Sequence, residues 1–348
     1  MKIVVDGEPV KVAEFLTIKA ALKSLGFKFA DSLGEGRLYA PCCSGGCYAC
    51  AATVDGALKP ICITPVREGM DVRLGIPTEA NPLRIVSGFQ PHPVGGVGTP
   101  WQVKKSGRHY VEVACFAHGC NLRCPQCQNF GITYCNTEPP LTPREAANLI
   151  TCQRRQYGVD RIAISGGEPT LNRRWLTQFF MELRRLNRDA KARFHLDTNT
   201  TVLTPYYVDE LVEAGVTDIG PDLKGIRVET FMKITGIVKK GLAKKYLDNS
   251  WSSAKYLIDN YYPDKLFIGL GIPYNNSLMS LEELREIGDK IKEMTDTVQV
   301  CLLDYFPTFR RRNIKRPSTE EMVKARQVLK SSGLKIVLAQ TPAGHIGP

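Results

Sequence analysis

The sequence predicts an α/β chain: a partial or full (βα) barrel over residues 109–348, preceded by a small α+β domain over 1–78 and a Pro/Gly-rich linker over 79–108. Three observations carry that reading. Beyond residue 109, short apolar runs alternate with helix-periodic stretches, the mark of parallel βα units. Before residue 79, brief strand-like runs alternate with turns at Asp6-Gly7 and Asp55-Gly56, as in a small sheet built from hairpins. Between them, Pro82, Pro91, Pro93, Gly95, Gly96, Gly98 and Pro100 interrupt regular structure.

In the first part, strands are expected at 2–5, 51–54 and 71–74, with a helix over 17–25 that Gly26 stops. In the second, strands are expected at 109–115, 160–165, 192–197, 218–221, 265–271, 298–303 and 335–339. Helices are expected at 142–157, 174–187, 205–214, 251–261, 281–294 and 319–332. The last begins with Ser318 as a cap and Glu320 and Glu321 in its first turn, where the helix dipole favours acids. In such an array, ligands bind at the C-terminal ends of the strands.

A length of 348 residues suits about two domains. With 43% hydrophobic and 23% charged residues, the composition excludes a disordered chain, a collagen-like fibre and a membrane bundle. No run approaches the roughly 20 apolar residues of a spanning helix, and MKIVVDGEPV lacks the apolar core of a secretory signal. A cytoplasmic chain with no membrane partner is expected. The net charge of +11 reads as a solvated basic surface, or as one that attracts an anionic partner. No nucleic-acid-binding signature accompanies it, so nucleic acid is not an expected partner.

The 12 cysteines fall largely in short spacings between 42 and 135. In a cytosolic chain that arrangement points to metal binding rather than disulfides. Cys42, Cys47, Cys50 and Cys62 give C-x4-C-x2-C and a distant fourth cysteine, the plant-type [2Fe–2S] spacing. Cys43, Cys47 and Cys50 offer a rival C-x3-C-x2-C register. Cys120, Cys124 and Cys127 have C-x3-C-x2-C spacing just past the first strand of the array. Three thiolates there hold three irons of a [4Fe–4S] cube and leave the fourth iron open. Cys115, Cys135, Cys152 and Cys301 read as buried, inert thiols. Arg310, Arg311 and Arg312 follow a strand end and read either as plain surface charge or as a clamp for an acidic or phosphorylated substrate. His345 reads equally as a mouth residue or a tail residue.

Residues 109–341 resemble the radical S-adenosylmethionine (SAM) superfamily, and HGCNLRCPQCQN is most similar to its pyruvate formate-lyase-activase-like branch. The resemblance implies that an iron held by Cys120, Cys124 and Cys127 chelates SAM. One electron then splits SAM to a 5′-deoxyadenosyl radical, which abstracts hydrogen from a substrate. Gly166, Gly167, Glu168 and Pro169 match the family's GGEP motif, whose backbone and Glu take up the SAM ammonium. Asp197, Thr198 and Asn199 match the ribose-binding segment, with Thr200 where the family often has Gly. Asp222 and Lys224 resemble the branch's DLK motif near SAM, and Ile272 lies in a GLGIPYN segment similar to one that packs on adenine. Residues 41–62 resemble ferredoxin-like (β-grasp) domains of succinate dehydrogenase iron–sulfur subunits, and 61–70 the fourth-ligand segment of large complex I subunits.

Together these imply a radical SAM enzyme that acts on a protein or peptide under anaerobic conditions. Its [2Fe–2S] domain would relay electrons from an external ferredoxin- or flavodoxin-type donor. Two variants stay open: a C-methyltransferase that also uses cobalamin, for which no separate cobalamin domain is visible, and a non-catalytic electron carrier.

Overall fold

The computed structural model describes residues 1–31, 38–94, 96–105 and 109–348. The chain opens with β1 (Lys2–Val5), β2 (Glu8–Lys11) and α1 (Ile18–Ser24), followed by the two-residue pair β3 (Phe29–Ala30) and β4 (Leu38–Tyr39). The hairpin of β5 (Ala51–Val54) and β6 (Ala57–Pro60) and then β7 (Asp71–Arg73) complete a five-stranded sheet ordered β2-β1-β7-β5-β6. Helix α1 starts because Thr17 caps it, accepting from the Ala20 amide. It buries Ile18, Ala21 and Leu22 against Ile3, Val54 and Val72 of the sheet.

A second sheet has nine strands in chain order: β8 (Val86–His92), β9 (Glu112–Ala117), β10 (Arg161–Gly166), β11 (Arg193–Thr198), β12 (Asp218–Pro221), β13 (Phe267–Tyr274), β14 (Gln299–Asp304), β15 (Val337–Thr341) and β16 (Gly344–Ile346). Strands β9 to β15 run parallel, and antiparallel β8 and β16 form the two edges. The array is therefore an open, partial barrel. Its parallel strands are largely buried, as strands covered on both faces must be: all six residues of β9 are buried. The connecting segments carry α2 (Phe130–Thr133), α3 (Pro143–Tyr157), α4 (Arg173–Leu186), α5 (Pro205–Ala214), α6 (Val228–Thr235), α7 (Lys240–Tyr261), α8 (Leu281–Met294) and α9 (Thr319–Ser331). Their starts follow the sequence signals. Thr142 with Glu145 and Ser318 with Glu321 form capping boxes on α3 and α9.

The structure's three largest departures from the sequence reading are a strand, a helix start and a whole helix. The stretch read as a linker contains β8, whose Pro91 is tolerated because β8 is an edge strand. Residues beyond it run across the inward side of the barrel: the Val97 carbonyl lies so close to Gly269 that a Cβ there would sit 2.2 Å from it. The Thr99 carbonyl accepts from Gln299 of β14 at 2.8 Å. Helix α7 begins at Lys240 rather than at 251, because Ala243, Tyr246 and Leu247 face the core behind a lysine-rich surface. The third departure is the unforeseen helix α6.

Candidate active site and cysteine centres

Cys42, Cys47, Cys50 and Cys62 come together in the N-terminal domain, all buried. The β5–β6 hairpin pairs Ala51 with Pro60, which brings Cys50 and Cys62 to the same end. Cys47 Sγ lies 3.1 Å from Cys42 Sγ. Hydrogen bonds from Cys47 and Cys62 push the Cys42 thiol well down, and Cys42 together with burial pushes Cys47 well up. Four sulfurs thus compete for protons in one buried spot, the chemistry of a thiolate set built for metal. Cys43 takes no part. It is exposed, sits at φ +49° and points at Lys19, with Sγ 2.9 Å from Nζ. Among the described residues, no three His, Cys, Asp or Glu side chains form a single-ion site.

Arg84 supplies a second sign of an anionic occupant. It is wholly buried, forms no ion pair among the described residues, and its Nε has no partner. Its guanidinium donates to the carbonyls of Glu168 (2.6 Å), His118 (3.2 Å) and Pro169. Burial pushes the guanidinium's pKa down, while Cys47 and then Glu168 hold it up. A buried cation of this kind needs a negative neighbour, and a four-thiolate iron–sulfur site beside Cys47 would provide it.

Cys120, Cys124 and Cys127 line a cavity of ≈ 340 Å³ at the C-terminal ends of the parallel strands, together with Gly166, Gly167, Asp197, Thr198, Asn199, Asp222 and Lys224. Donors face the sulfurs: the Leu122 amide lies 3.4 Å and Asn199 Nδ2 3.7 Å from Cys120 Sγ. Burial pushes Cys124 up to about 11 against the pull of Lys224. Lys224 pairs with Asp222, whose other oxygen, Oδ1, is buried without a partner. These features fit a cluster with a charged small ligand beside it.

Three of the expected residues do not reach the cavity. Glu168 is 0% exposed, and its carboxylate is engaged elsewhere. It accepts from Thr170 N (3.1 Å), Thr170 Oγ1 (2.6 Å), Thr198 Oγ1 (2.8 Å) and Asn199 N (2.7 Å). Its side chain therefore orients the segment after β11 instead of meeting a ligand. Pro169 is buried and gives its carbonyl to Arg84. Ile272 points into the core, and the neighbouring Pro273 lines the cavity, as strand alternation requires. Thr200 takes φ +57°, the left-handed conformation in which Gly would be unstrained.

Other cavity-lining residues were read differently or missed in the sequence. Cys301 lines the cavity, and burial pushes its thiol up to about 12. His345 lines it too, brought there by the β15–β16 hairpin. Cys115 is buried as expected, but Cys152 is exposed on α3 and Cys135 only half-buried. Arg310 lies over the rings of Phe309 and Tyr134, and Arg311 donates to Gln126 beside the cluster loop. His195, wholly buried on β11, stands two residues from Asp197 on the same strand face. Burial alone would push its imidazole down, but Asp197 and Glu112 outweigh that and hold it up to about 10.

Residues 115–277 match the Radical SAM superfamily, and residues 1–75 match a 2Fe-2S iron-sulfur cluster binding domain. A probable GTP 3′,8-cyclase of Methanococcus aeolicus is 32% identical over 129 residues, 36% of this chain and 42% of that protein. The AdoMet-dependent heme synthase of Methanosarcina barkeri is 34% identical over 120 residues, 34% of this chain and 32% of that protein. A provisionally assigned glycyl-radical enzyme activating enzyme of Methanocaldococcus jannaschii is 25% identical over 179 residues, 51% of this chain and 67% of that protein. The chain thus spans less than half the length of the first two. With the cysteine-lined cavity at the strand ends, these matches identify a Radical SAM domain over residues 115–277 behind a 2Fe-2S domain over residues 1–75.

Proposed function

We propose that the enzyme abstracts hydrogen from a protein or peptide substrate, with its electron entering through the N-terminal cysteine centre. With a [4Fe–4S] cluster and SAM bound, the chemistry supplied is one-electron cleavage of SAM to a 5′-deoxyadenosyl radical. Cys120, Cys124 and Cys127 hold the cluster. The backbone of Gly166 and Gly167 takes the SAM ammonium, with Glu168 behind it as the anchor of Thr198 and Asn199. Asp197 takes the ribose, its carboxylate held by His195. The Asp222–Lys224 pair supplies both charges beside the cluster. Cys42, Cys47, Cys50 and Cys62 hold the [2Fe–2S] group, fed by a ferredoxin- or flavodoxin-type donor.

The cavity volume carries the substrate class. About 340 Å³ lies near the lower end of small-ligand pockets, roughly 300–1,000 Å³, so SAM occupies most of it. That leaves little enclosed room for a second whole metabolite, whereas one residue of a larger chain can be presented at the open mouth. A nucleotide substrate is the second reading, favoured by the GTP 3′,8-cyclase relatives and by exposed Arg310, which lies over the Phe309 ring and forms no ion pair among the described residues.

Anaerobic reconstitution followed by SAM and dithionite tests the chemistry. The wild type should form 5′-deoxyadenosine and Cys124→Ala should not; equal yields would remove the assignment. Cys50→Ser should slow turnover with a protein donor while sparing it with dithionite, and equal loss with both would remove the relay.

A further inference from the structure

The two cysteine loops are in direct contact. Gly119, immediately before Cys120, lies so close to Cys42 that a Cβ there would be 2.9 Å from Cys42 Cβ and 3.1 Å from Cys42 Sγ. Its φ of +82° is open to glycine without strain. Arg123 spans this contact as a fork. Nη2 donates to the Cys42 carbonyl at 2.6 Å, and Nη1 donates to the carbonyls of Cys120 (2.6 Å) and Leu122 (2.8 Å). The base of the fork is fixed, because the Arg123 amide donates to the Thr235 carbonyl at 2.8 Å. Arg123 forms no ion pair with a carboxylate among the described residues.

Resting on the relay reading above, we infer that Arg123 is a positioning residue that clamps Cys42 against the Gly119–Cys120 segment and so sets the electron link between the two centres. One electron leaves the Cys42–Cys62 site, which is oxidised by one. It arrives at the Cys120–Cys127 site, which is reduced by one, and no bond forms or breaks. The link is one van der Waals contact, from Cys42 to Gly119, followed by covalent bonds to Cys120. Electron transfer falls steeply with an added gap, so whatever holds that contact controls the rate. A planar guanidinium can hold two carbonyls at a fixed separation, whereas a lysine ammonium is a single point charge on a flexible stem.

The test uses the full chain with both centres loaded, as wild type, Arg123→Lys and Arg123→Gln. Three quantities are read: the mutual broadening of electron paramagnetic resonance signals when both centres are reduced, the midpoint potential of each centre, and the rate at which an electron from a half-reduced sample reaches the cavity centre. Both variants should keep their iron and sulfide, lose the mutual broadening and transfer about tenfold more slowly, since small misplacements are costly. Only Arg123→Gln, which also loses the cation, should shift the potentials negative; Arg123→Lys keeps the charge. Wild-type broadening and rate in Arg123→Lys would overturn the positioning role. A wild type that never passes an electron between its centres would overturn the relay reading instead, with the broadening comparison still reporting on Arg123.

Discussion

His195 Nε2 lies 2.9 Å from Asp197 Oδ1, so a wholly buried imidazole backs the one carboxylate of β11 that faces the cavity. Glu112 Oε2 lies 3.4 Å from the other ring nitrogen, and Arg161 joins Glu112 and Asp218 in the same buried network. Removing one member leaves its partners charged and uncompensated, which costs about 3–5 kcal/mol for a buried pair. His195→Asn should therefore lower the stability of the cluster-free chain by about 3 kcal/mol in denaturant unfolding. It should also weaken SAM binding to the loaded enzyme by about tenfold, because the orientation of Asp197 is lost. Unchanged affinity measured by calorimetry would remove Asp197 from the ribose site.

The same pair sets a pH dependence. The imidazole is held up to about 10 in the fold, against about 6.5 unfolded. A raised folded-state pKa means the folded protein binds the proton more tightly. Its contribution is whole below pH about 6.5 and is lost as the pH climbs through about 10. Glu112 is pushed the other way, well below its usual range by His195 and His92 despite its burial, so its contribution is lost only in acid. The stability difference between wild type and His195→Asn should shrink across that alkaline window, and taking the difference removes the cysteines common to both. A constant difference would mean that His195 is neutral in the fold.

What could be read from the sequence was what is local in it. The ligand spacings of Cys120, Cys124 and Cys127 lie within one loop, and the strand-end motifs lie within single turns, so each was visible as a string. The roles of Arg84 and Arg123 were not visible, because their partners are distant in the chain: Arg123 and the Cys42 carbonyl are 81 residues apart. The turning of Glu168 away from the cavity depends on Thr198 and Asn199, about 30 residues further on. His195 carried a readable signal, its two-residue spacing from Asp197 on an expected strand. The proline- and glycine-rich stretch misled because edge placement and glycine-to-backbone packing are tertiary facts, and either permits a residue that local propensity disfavours.

Cys42 and Cys43 separate the two registers of the first cysteine cluster. Cys43 is exposed and bonded to Lys19, whereas Cys42 is buried with its Sγ 3.1 Å from Cys47 Sγ. Cys43→Ser should retain full iron and sulfide and the optical spectrum of the N-terminal centre after reconstitution. Cys42→Ser should lose or alter that spectrum, since a hydroxyl is a poor substitute for a thiolate on iron. Loss of iron in Cys43→Ser would restore the rival register.

Two glycines make a contrast in which packing alone decides the sign. Gly269 lies on β13 beneath the segment that crosses the barrel, and a Cβ there would meet the Val97 carbonyl at 2.2 Å and its carbon at 3.1 Å. Backbone cannot give way as a flexible side chain does, so the segment must move. Because Val97 lines the cavity, the cavity wall moves with it. Gly269→Ala should cost about 1–3 kcal/mol by overpacking and weaken SAM binding through the displaced wall. Gly241 lies in α7 with nothing within 4 Å of its virtual Cβ, at a helical position without left-handed strain. Gly241→Ala should stabilise the chain by about 0.4–1 kcal/mol, through higher helix propensity and a less flexible unfolded chain. Paired denaturant titrations of the cluster-free chain read both. Equal effects of one sign would mean that the segment carrying Val97 does not lie against β13 in solution, and that the cavity is open on its inward side.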